Sequence, residues 1–535
     1  MHALGARAGL FLTLAVAGCH WFLPFSGGDV SRDSGGALEA PVVGDRLRDT
    51  PADQARDVAR DKARDLADQA RPELRVDVAD RGVDSSGDLC PAGAVSGGAH
   101  LWSLRFGKLN TTSGAMNYWD EGHAVAVSAS GDVTFVGTSA SKSLWLGGPN
   151  VEGTEGMGDL IIASYTSAGV HRWSHRYTGQ AAGTGEGGAV DSAGNVTVVG
   201  TVTGPMVIGG STYYSKGGQD VFLASFDATG SLRWVKLLGG AGNDLGGAVA
   251  VDANGDLYLT GSFGGPSADF EGGPLTCAGS SDLFVASFTA AGVHRWAKGF
   301  GGAGFDDGRG LAVDGQGNLY LTGSFGGSAG FGGQTFPGAG KQDIVLASYL
   351  TASGAHSWSQ AFGGSEDERA TGVAVDGGGR LYVTGSFSGT LSVGGTQLTS
   401  QGDADLFVAS FSSAGGTLRW AKGFGGAGED VGEAIAVTST GTVYLTGGVT
   451  GAVSLGGATL SASGMKDPFV ASFDVCGAHR WSAAYSAAAD PSTGRGVATG
   501  GGGVLVTGHY QGSINFGGGA EGSVGRDLFL IKLTP

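Results

Sequence analysis

Asp282 to Phe325 reads DLFVASFTAAGVHRWAKGFGGAGFDDGRGLAVDGQGNLYLTGSF, and recognisable copies of this stretch recur until the chain ends. Aligned on the tryptophan of the HRW-like tripeptide, the copies give Trp102, Trp173, Trp234, Trp296, Trp358, Trp420 and Trp481. Five of the six steps are 61 or 62 residues, well beyond a short solenoid unit, and the longer first step marks an insertion. Aligned on the acidic residue that opens the apolar run, they give Asp159, Asp220, Asp282, Asp343, Asp405, Asp467 and Asp527, seven again.

Four strands can be read in one copy. Arg309 to Asp314 is short and small-residued, and a turn at Gly315-Gln316-Gly317-Asn318 leads into Leu319 to Phe325, rich in β-branched and aromatic residues. Asp282 to Phe288 and Arg295 to Phe300 form a second hairpin. These runs are apolar on both faces, so each sheet is covered on both sides. A four-stranded sheet sandwiched between copies of itself is a propeller blade. The strand with the smallest side chains, Gly247 to Val251 in one copy, suits the crowded axis, and the Trp strand suits the wide rim. Between the second and third strands every copy has a Gly-Gly pair, from Gly147-Gly148 to Gly517-Gly518, as a two-residue hairpin turn requires. Phe331 and Phe336, or Leu455 and Leu460, flank such tips, which predicts seven long hairpins forming a crown on one face.

The ends predict how the ring closes. The chain enters the domain on a Trp strand, Leu101 to Phe106, and leaves it on an Asp-Leu-Phe strand, Asp527 to Leu533, so the N-terminal strand completes the last blade and removes a free edge. The expected fold is all-β: a seven-bladed β-propeller of four-stranded antiparallel blades. The AlaValAsp-x-x-Gly-Asn-x-Tyr-x-Thr-Gly core, as at Ala312 to Gly323 and Ala250 to Gly261, resembles the bacterial seven-bladed β-propeller repeat family and, more distantly, the NHL repeats. The resemblance covers about residues 98 to 535 and implies the fold; function does not follow from it, because propellers host enzymes, receptors and scaffolds alike.

Composition supports this division. Gly is 106 of 535 residues with only 13 Pro and no Gly-X-Y period, which excludes collagen. Residues 1–18 carry one firm positive charge at Arg7 and an apolar core, and run through Val16-Ala17-Gly18 into Cys19. This resembles a bacterial lipoprotein signal peptide, which implies cleavage before Cys19 and acylation of it, hence a membrane-bound cell-envelope protein. His20 stands where an Asp resembles an inner-membrane retention signal, which points to the outer membrane. Residues 19–96, with AlaArgAsp repeated at 55 to 57, 59 to 61 and 63 to 65, have too few large apolar residues for a core and read as a disordered tether; residues 97–535 are the propeller. A net charge of −17 disfavours nucleic acid and bare anionic membrane.

The acidic loops between the rim strand and the next inner strand are the best candidate site. They hold Asp120, Glu121, Glu186, Asp244, Asp306, Asp307, Glu366, Asp367, Glu429 and Asp430, with Glu368 and Asp490 in the same loops. A ring of carboxylates converging on the axial mouth could hold Ca²⁺ or a cationic ligand; the competing reading is that they cap turns and keep the surface soluble. The inner-hairpin acids Asp191, Asp252, Asp314 and Asp376 are expected to bond their own turns. His171, His294, His356 and His479 precede rim tryptophans of different blades, too far apart to share a metal, and read as surface histidines. Closure brings Cys90 near Cys476 as a candidate disulfide and leaves Cys277 unpaired. No nucleophile, zinc or phosphate-loop motif names a reaction. The leading expectation is a monomeric, lipid-anchored scaffold or binding module for a protein or glycan; the alternatives are a propeller hydrolase or lyase with a carboxylate or Ca²⁺ site at the axial mouth, and a purely structural envelope protein.

Overall fold

A computed structural model describes residues 97–107, 119–153, 158–178, 183–463, 465–487 and 491–535. All belong to the compact unit Val78–Pro535, which the chain forms apart from Met1–Asp77. The signal peptide, Cys19, the tether, Cys90 and Asp490 lie outside the described residues. Among the described residues every regular element is a strand, and no helix is long and apolar enough to cross a membrane.

The strands make seven antiparallel sheets with four main strands each. In the fourth blade these are, from the axis outward, Asp307–Val313, Asn318–Phe325, Asp343–Leu350 and His356–Phe362. The seven inner strands are Asp120–Val127, Gly183–Val190, Asp244–Val251, Asp307–Val313, Glu368–Val375, Val431–Val437 and Thr493–Gly500. Each touches the next, and the last touches the first, so the ring is closed. Closure is made by His100–Phe106, the outer strand of the seventh blade, which pairs with the C-terminal strand Ala520–Leu533 from Phe106 opposite Leu528 to His100 opposite Leu533. The sequence repeat is therefore out of phase with the blade, since Asp282 to Phe325 covers the outer half of the third blade and the inner half of the fourth.

The second and third strands are apolar on both faces because both faces are covered. Every residue of Leu257–Gly264 and of Ser281–Phe288 is buried. The inner turns are held as expected. Asp252 accepts from the amides of Asn254 and Asp256 and from Tyr258 Oη, and Asp314 accepts from Gln316, Asn318 and Tyr320 in the same way.

Blades are locked together at the rim by tryptophan on glycine. Trp102, Trp173, Trp234, Trp296, Trp358, Trp420 and Trp481 lie against Gly169, Gly230, Gly292, Gly354, Gly416, Gly477 and Gly98, each in the outer turn of the following blade. A Cβ on any of these glycines would come within 3.1 Å of the indole, and all seven have φ between 65° and 87°, where L side chains are strained. Six of the indoles also donate Nε1–H to a carbonyl of the same turn at 2.8 to 3.2 Å. Trp481 docks on the segment that leads into the closing strand, so the last interface is built like the others.

The expected long hairpins run on without a break in the second and seventh blades, Val196–Ile208 with Ser211–Phe226 and Gly503–Asn515 with Ala520–Leu533, but most of the apolar residues at the tips are not displayed. In the third and fourth blades the tips fold back and pair with the outer strand of the preceding blade, Ala268 with Gly240 and Ala329 with Gly302. Leu144, Leu146, Met206, Ile208, Phe270, Phe331, Leu391, Leu455 and Phe516 are consequently buried instead of presented to a ligand. The second glycine of the pair has a packing cause as well as a turn cause. A Cβ at Gly148, Gly333, Gly457 or Gly518 would stand 2.3 to 2.7 Å from the ring of His171, His356, His479 or His100. The histidines read as surface groups are therefore part-buried under the tips; His171 and His356 also pack edge-on against Tyr165 and Tyr349.

Gly292→Ala tests the rim lock. The methyl group meets the Trp234 indole and φ is 77°, so the substitution should cost about 1–3 kcal/mol in a denaturant unfolding titration of the whole protein. A cost within error of zero would show that the turn moves freely away from the indole.

Candidate functional site

A one-residue irregularity repeated seven times creates the axial site. In each blade the inner strand carries a β-bulge opposite a glycine of the second strand: Gly137, Gly200, Gly261, Gly323, Gly385, Gly447 and Gly508, which follow Val in the first two blades and Thr in the other five. A Cβ on any of these would lie 1.8 to 2.1 Å from a carbonyl oxygen of the inner strand, so only glycine admits the bulge. The extra residue is His123, Glu186, Gly247, Arg309, Thr371, Glu433 or Arg495, and all seven line one cavity of about 650 Å³ on the axis. Phe305, Asp307 and Gln219 add to the lining, and Phe305 remains 41% exposed.

The charges are mixed. Glu121 is buried beside His123 and accepts a hydrogen bond from Arg526 Nη1; Arg495 Nη2 lies 3.4 Å from its other oxygen. His123 stands 3.8 Å from Glu121 and 3.6 Å from Glu186, and His509 Nδ1 is 3.9 Å from Glu121. Burial alone would raise the Glu121 carboxyl, but His509, Arg495, His123 and Arg526 together lower it from 4.5 to about 2. Burial, with Arg495, Arg526 and His123, pushes His509 down from its ordinary value against the pull of Glu121. Across the cavity Arg309 Nη2 lies 2.7 Å from Asp307. Its field, with burial, lowers the pKa of nearby Arg369, although Asp307, Glu433 and Asp367 oppose this. Three buried polar atoms on the lining have no hydrogen-bond partner: His123 Nε2, Asp307 Oδ1 and Arg309 Nε.

The acidic loops do not form the expected ring of carboxylates at the mouth. Glu186 and Asp307 do line the cavity, and Glu121 braces it. Asp120, Asp244, Asp306 and Asp430 instead lie fully buried in the wall between blades, where they satisfy chain turns. Asp244 accepts from the amides of Gly240 and Gly264, Asp306 from Gly302 and Gly326, Asp430 from Gly426 and Thr450, and Asp120 from the hydroxyls of Ser139 and Ser141. Their position opens the inner strand ahead of the bulge, so the chain has not yet reached the axis. Glu366 and Asp367 lie near Lys341 at 3.0 and 3.6 Å, and Glu429 pairs with Lys466 at 2.6 Å, all solvent-facing. Among the described residues no group of three or more His, Cys, Asp or Glu is arranged to hold a metal ion. Cys476 is disulfide-bonded to a partner outside the described residues, and Cys277 is a free thiol.

Arg309, Glu433, Arg495 and His123 were not anticipated, nor were Arg369, His509 and Arg526 around them. The available signal is the mid-strand glycine of the second strand, preceded by Thr or Val. The bulged residue is the one that follows the inner-strand residue facing this glycine: Gly308 faces Gly323, and the next residue, Arg309, is the bulge.

No protein-family model matches the chain. Over 364 residues it is 27% identical to the regulatory protein FlaEY of Caulobacter vibrioides, which covers 62% of this chain and 37% of that protein. It is 24% identical over 257 residues to an uncharacterized WD repeat-containing protein of Acanthamoeba polyphaga mimivirus, 41% of this chain and 18% of that one. The chain thus spans well under half the length of these curated relatives. Among solved structures, the quinohemoprotein alcohol dehydrogenase of Comamonas testosteroni aligns over 78% of this chain and 76% of its own at 9% identity and a TM-score of 0.37, a distance that carries nothing about activity.

Glu121→Gln should be costly because it removes the charge that Arg526 donates to and that Arg495 faces: about 1–3 kcal/mol in equilibrium unfolding at pH 7. The native carboxyl titrates below its ordinary value, so its contribution is full above pH 4.5 and is lost as pH falls through about 2. The wild type should therefore lose stability more steeply than the variant over that interval. Parallel curves would remove the ion network from the account of the site.

Proposed function

We propose that this protein is a binding module of the cell envelope that takes a polar ligand, a glycan or a polypeptide segment, into the axial cavity, and that a lipid on Cys19 holds it at the membrane. The observation that carries the reading is the ring of bulged residues. Arg309, Arg495, Glu186, Glu433 and His123 reach one space of about 650 Å³ from five different blades. Charged side chains fixed around a concavity are what a polar ligand replaces water to reach.

The exposed Phe305 ring, which lines the same cavity as Gln219 and Arg309, favours a sugar, since a flat apolar face among hydrogen-bonding groups matches the two sides of a pyranose. A hydrolytic reading asks for a strongly raised carboxyl in the cavity; the raised ones here sit in the walls, and Glu121 is held low.

Full-length wild-type protein and the variants Arg309→Ala and Glu433→Ala should be compared on an array of neutral and acidic glycans and of peptides. Loss of one charge-assisted hydrogen bond should weaken the wild-type ligand about tenfold or more. Binding that is equal in all three proteins would place recognition elsewhere. The anchor is tested separately: Cys19→Ser should move the protein from the membrane fraction to the soluble fraction, and retention at the membrane would refute lipidation.

A further inference from the structure

Five of the seven blade interfaces bury two carboxyl groups against each other. One belongs to the start of an inner strand: Asp120, Asp244, Asp306, Glu368 or Asp430. The other lies on the third strand of the preceding blade: Asp527, Asp220, Asp282, Asp343 or Asp405. None of the ten is more than 6% exposed.

Glycine makes the space. The outer strand of the preceding blade ends in an aromatic or leucine followed by Gly107, Gly239, Gly301, Gly363 or Gly425. A Cβ on Gly239 would be 2.3 Å from Asp220 Oδ1 and 2.4 Å from Asp244 Oδ2; on Gly301 it would be 2.5 Å from Asp306 Oδ2 and 2.8 Å from Asp282 Oδ1. At Gly107, Gly363 and Gly425 it would fall within 2.3 Å of Asp527, Asp343 and Asp405. The two interfaces that lack the pair among the described residues also lack the glycine. Thr178 and Ser486 take its place, Gly183 and Ser492 stand where the inner acid would be, and Asp159 is instead 2.8 Å from Arg176 while Asp467 accepts from the amides of Ser463 and Ala487.

Backbone amides occupy only part of each pair. Gly240, Gly302, Gly364 and Gly426 donate to one oxygen of Asp244, Asp306, Glu368 and Asp430, and Ala278, Ala339 and Gln401 donate to one oxygen of Asp282, Asp343 and Asp405. Asp220 Oδ1, Asp282 Oδ1, Glu368 Oε1 and Asp405 Oδ1 are left buried with no hydrogen-bond partner. Two buried anions side by side with an orphaned acceptor are unstable, whereas a single added proton supplies a donor and removes one charge.

We propose that each of these five pairs takes up one shared proton in mildly acidic surroundings, so that the closed ring tightens as the medium is acidified and loosens as it passes through neutrality into alkali. Burial, and then the opposing carboxylate, pushes Asp244, Asp306 and Asp430 up to about 6 and Glu368 and Asp527 up to about 7; Asp120, Asp220, Asp282, Asp343 and Asp405 are also raised by burial. The charged and titratable neighbours are few: Lys216 beside Asp220 and Asp244, Cys277 beside Asp282, Asp307 beside Asp306, Glu366 and Asp367 beside Glu368, Lys466 beside Asp430, Arg105 beside Asp527 and Arg176 beside Asp120. Because folding raises these pKa values, their contribution to stability is complete below the ordinary carboxylate range and is lost as pH rises through about 6 to 7.

Infrared difference spectra of the full-length protein, recorded across pH 5 to 9, read the shared protons directly. The carbonyl band of protonated carboxyls should be present at pH 5, fade as pH rises through about 6 to 7, and be weaker at pH 5 in Asp244→Asn and Glu368→Gln. The melting temperature of the wild type should fall over the same range and that of the double variant should fall less. The absence of a protonated band that fades over this range would overturn the proposal, and this reading needs only the wild type should a variant fail to fold. A calcium-dependent rise in melting temperature that chelator reverses and the double variant lacks would also overturn it, in favour of a cation between the carboxylates.

Discussion

The contact between a rim indole and a glycine of the next blade sets the terms for the rest of the molecule. A sheet that is apolar on both faces is stable only when neighbours cover it, and in a ring the neighbours diverge toward the rim. Tryptophan fills that widening gap. It can do so seven times because the residue beneath it has no side chain and takes a left-handed conformation. Gly98 provides this for Trp481 from the segment that enters the domain, so the rim is continuous although the chain is not.

The same economy works inward. Near the axis the inner strands approach too closely for ordinary side chains, and glycine opposite glycine is the result: Gly122, Gly308, Gly432 and Gly494 lie against threonines of the preceding blade. The second-strand glycine then leaves the inner strand room to bulge, and the bulge is what turns one residue per blade toward the axis. Scaffold and site are therefore assigned to different positions only one residue apart. The residue that fits the wall is constrained to be small, while the one beside it ranges over His, Glu, Gly, Arg and Thr.

Much of this architecture is legible in the sequence because it is periodic. The copy number, the four strands, the turn-bonding of Asp252 and Asp314, and closure by His100–Phe106 all follow from patterns that repeat or from the identity of the two ends. The site is less legible. Its residues differ from blade to blade, so no pattern marks them, and a bulge shifts the register by one position, which alternation in sequence does not record. Charge misled in a particular way. Asp244 and Asp306 look like surface acids because carboxylates usually are, yet backbone amides that would otherwise go unpaired draw them into the wall. The hydrophobic tips misled for the complementary reason: Phe331 and Leu455 sit beside a turn, but the hairpin folds back and buries them.

The closing strand also fixes an order of events in the life of the chain. His100–Phe106 is among the first parts of the propeller to be synthesised, and its partners, Leu528 to Leu533, are the last. At ribosomal speeds of about 5–20 residues per second, a strand with an open edge waits on the order of tens of seconds before its counterpart exists. Six blades can assemble on their neighbours during that interval, but the seventh is held in two pieces at opposite ends of the chain. A truncated product therefore lacks more than its missing residues. It retains an orphaned strand with nothing to pair with, so that a loss at the C-terminus of the domain leaves an open edge at its N-terminus.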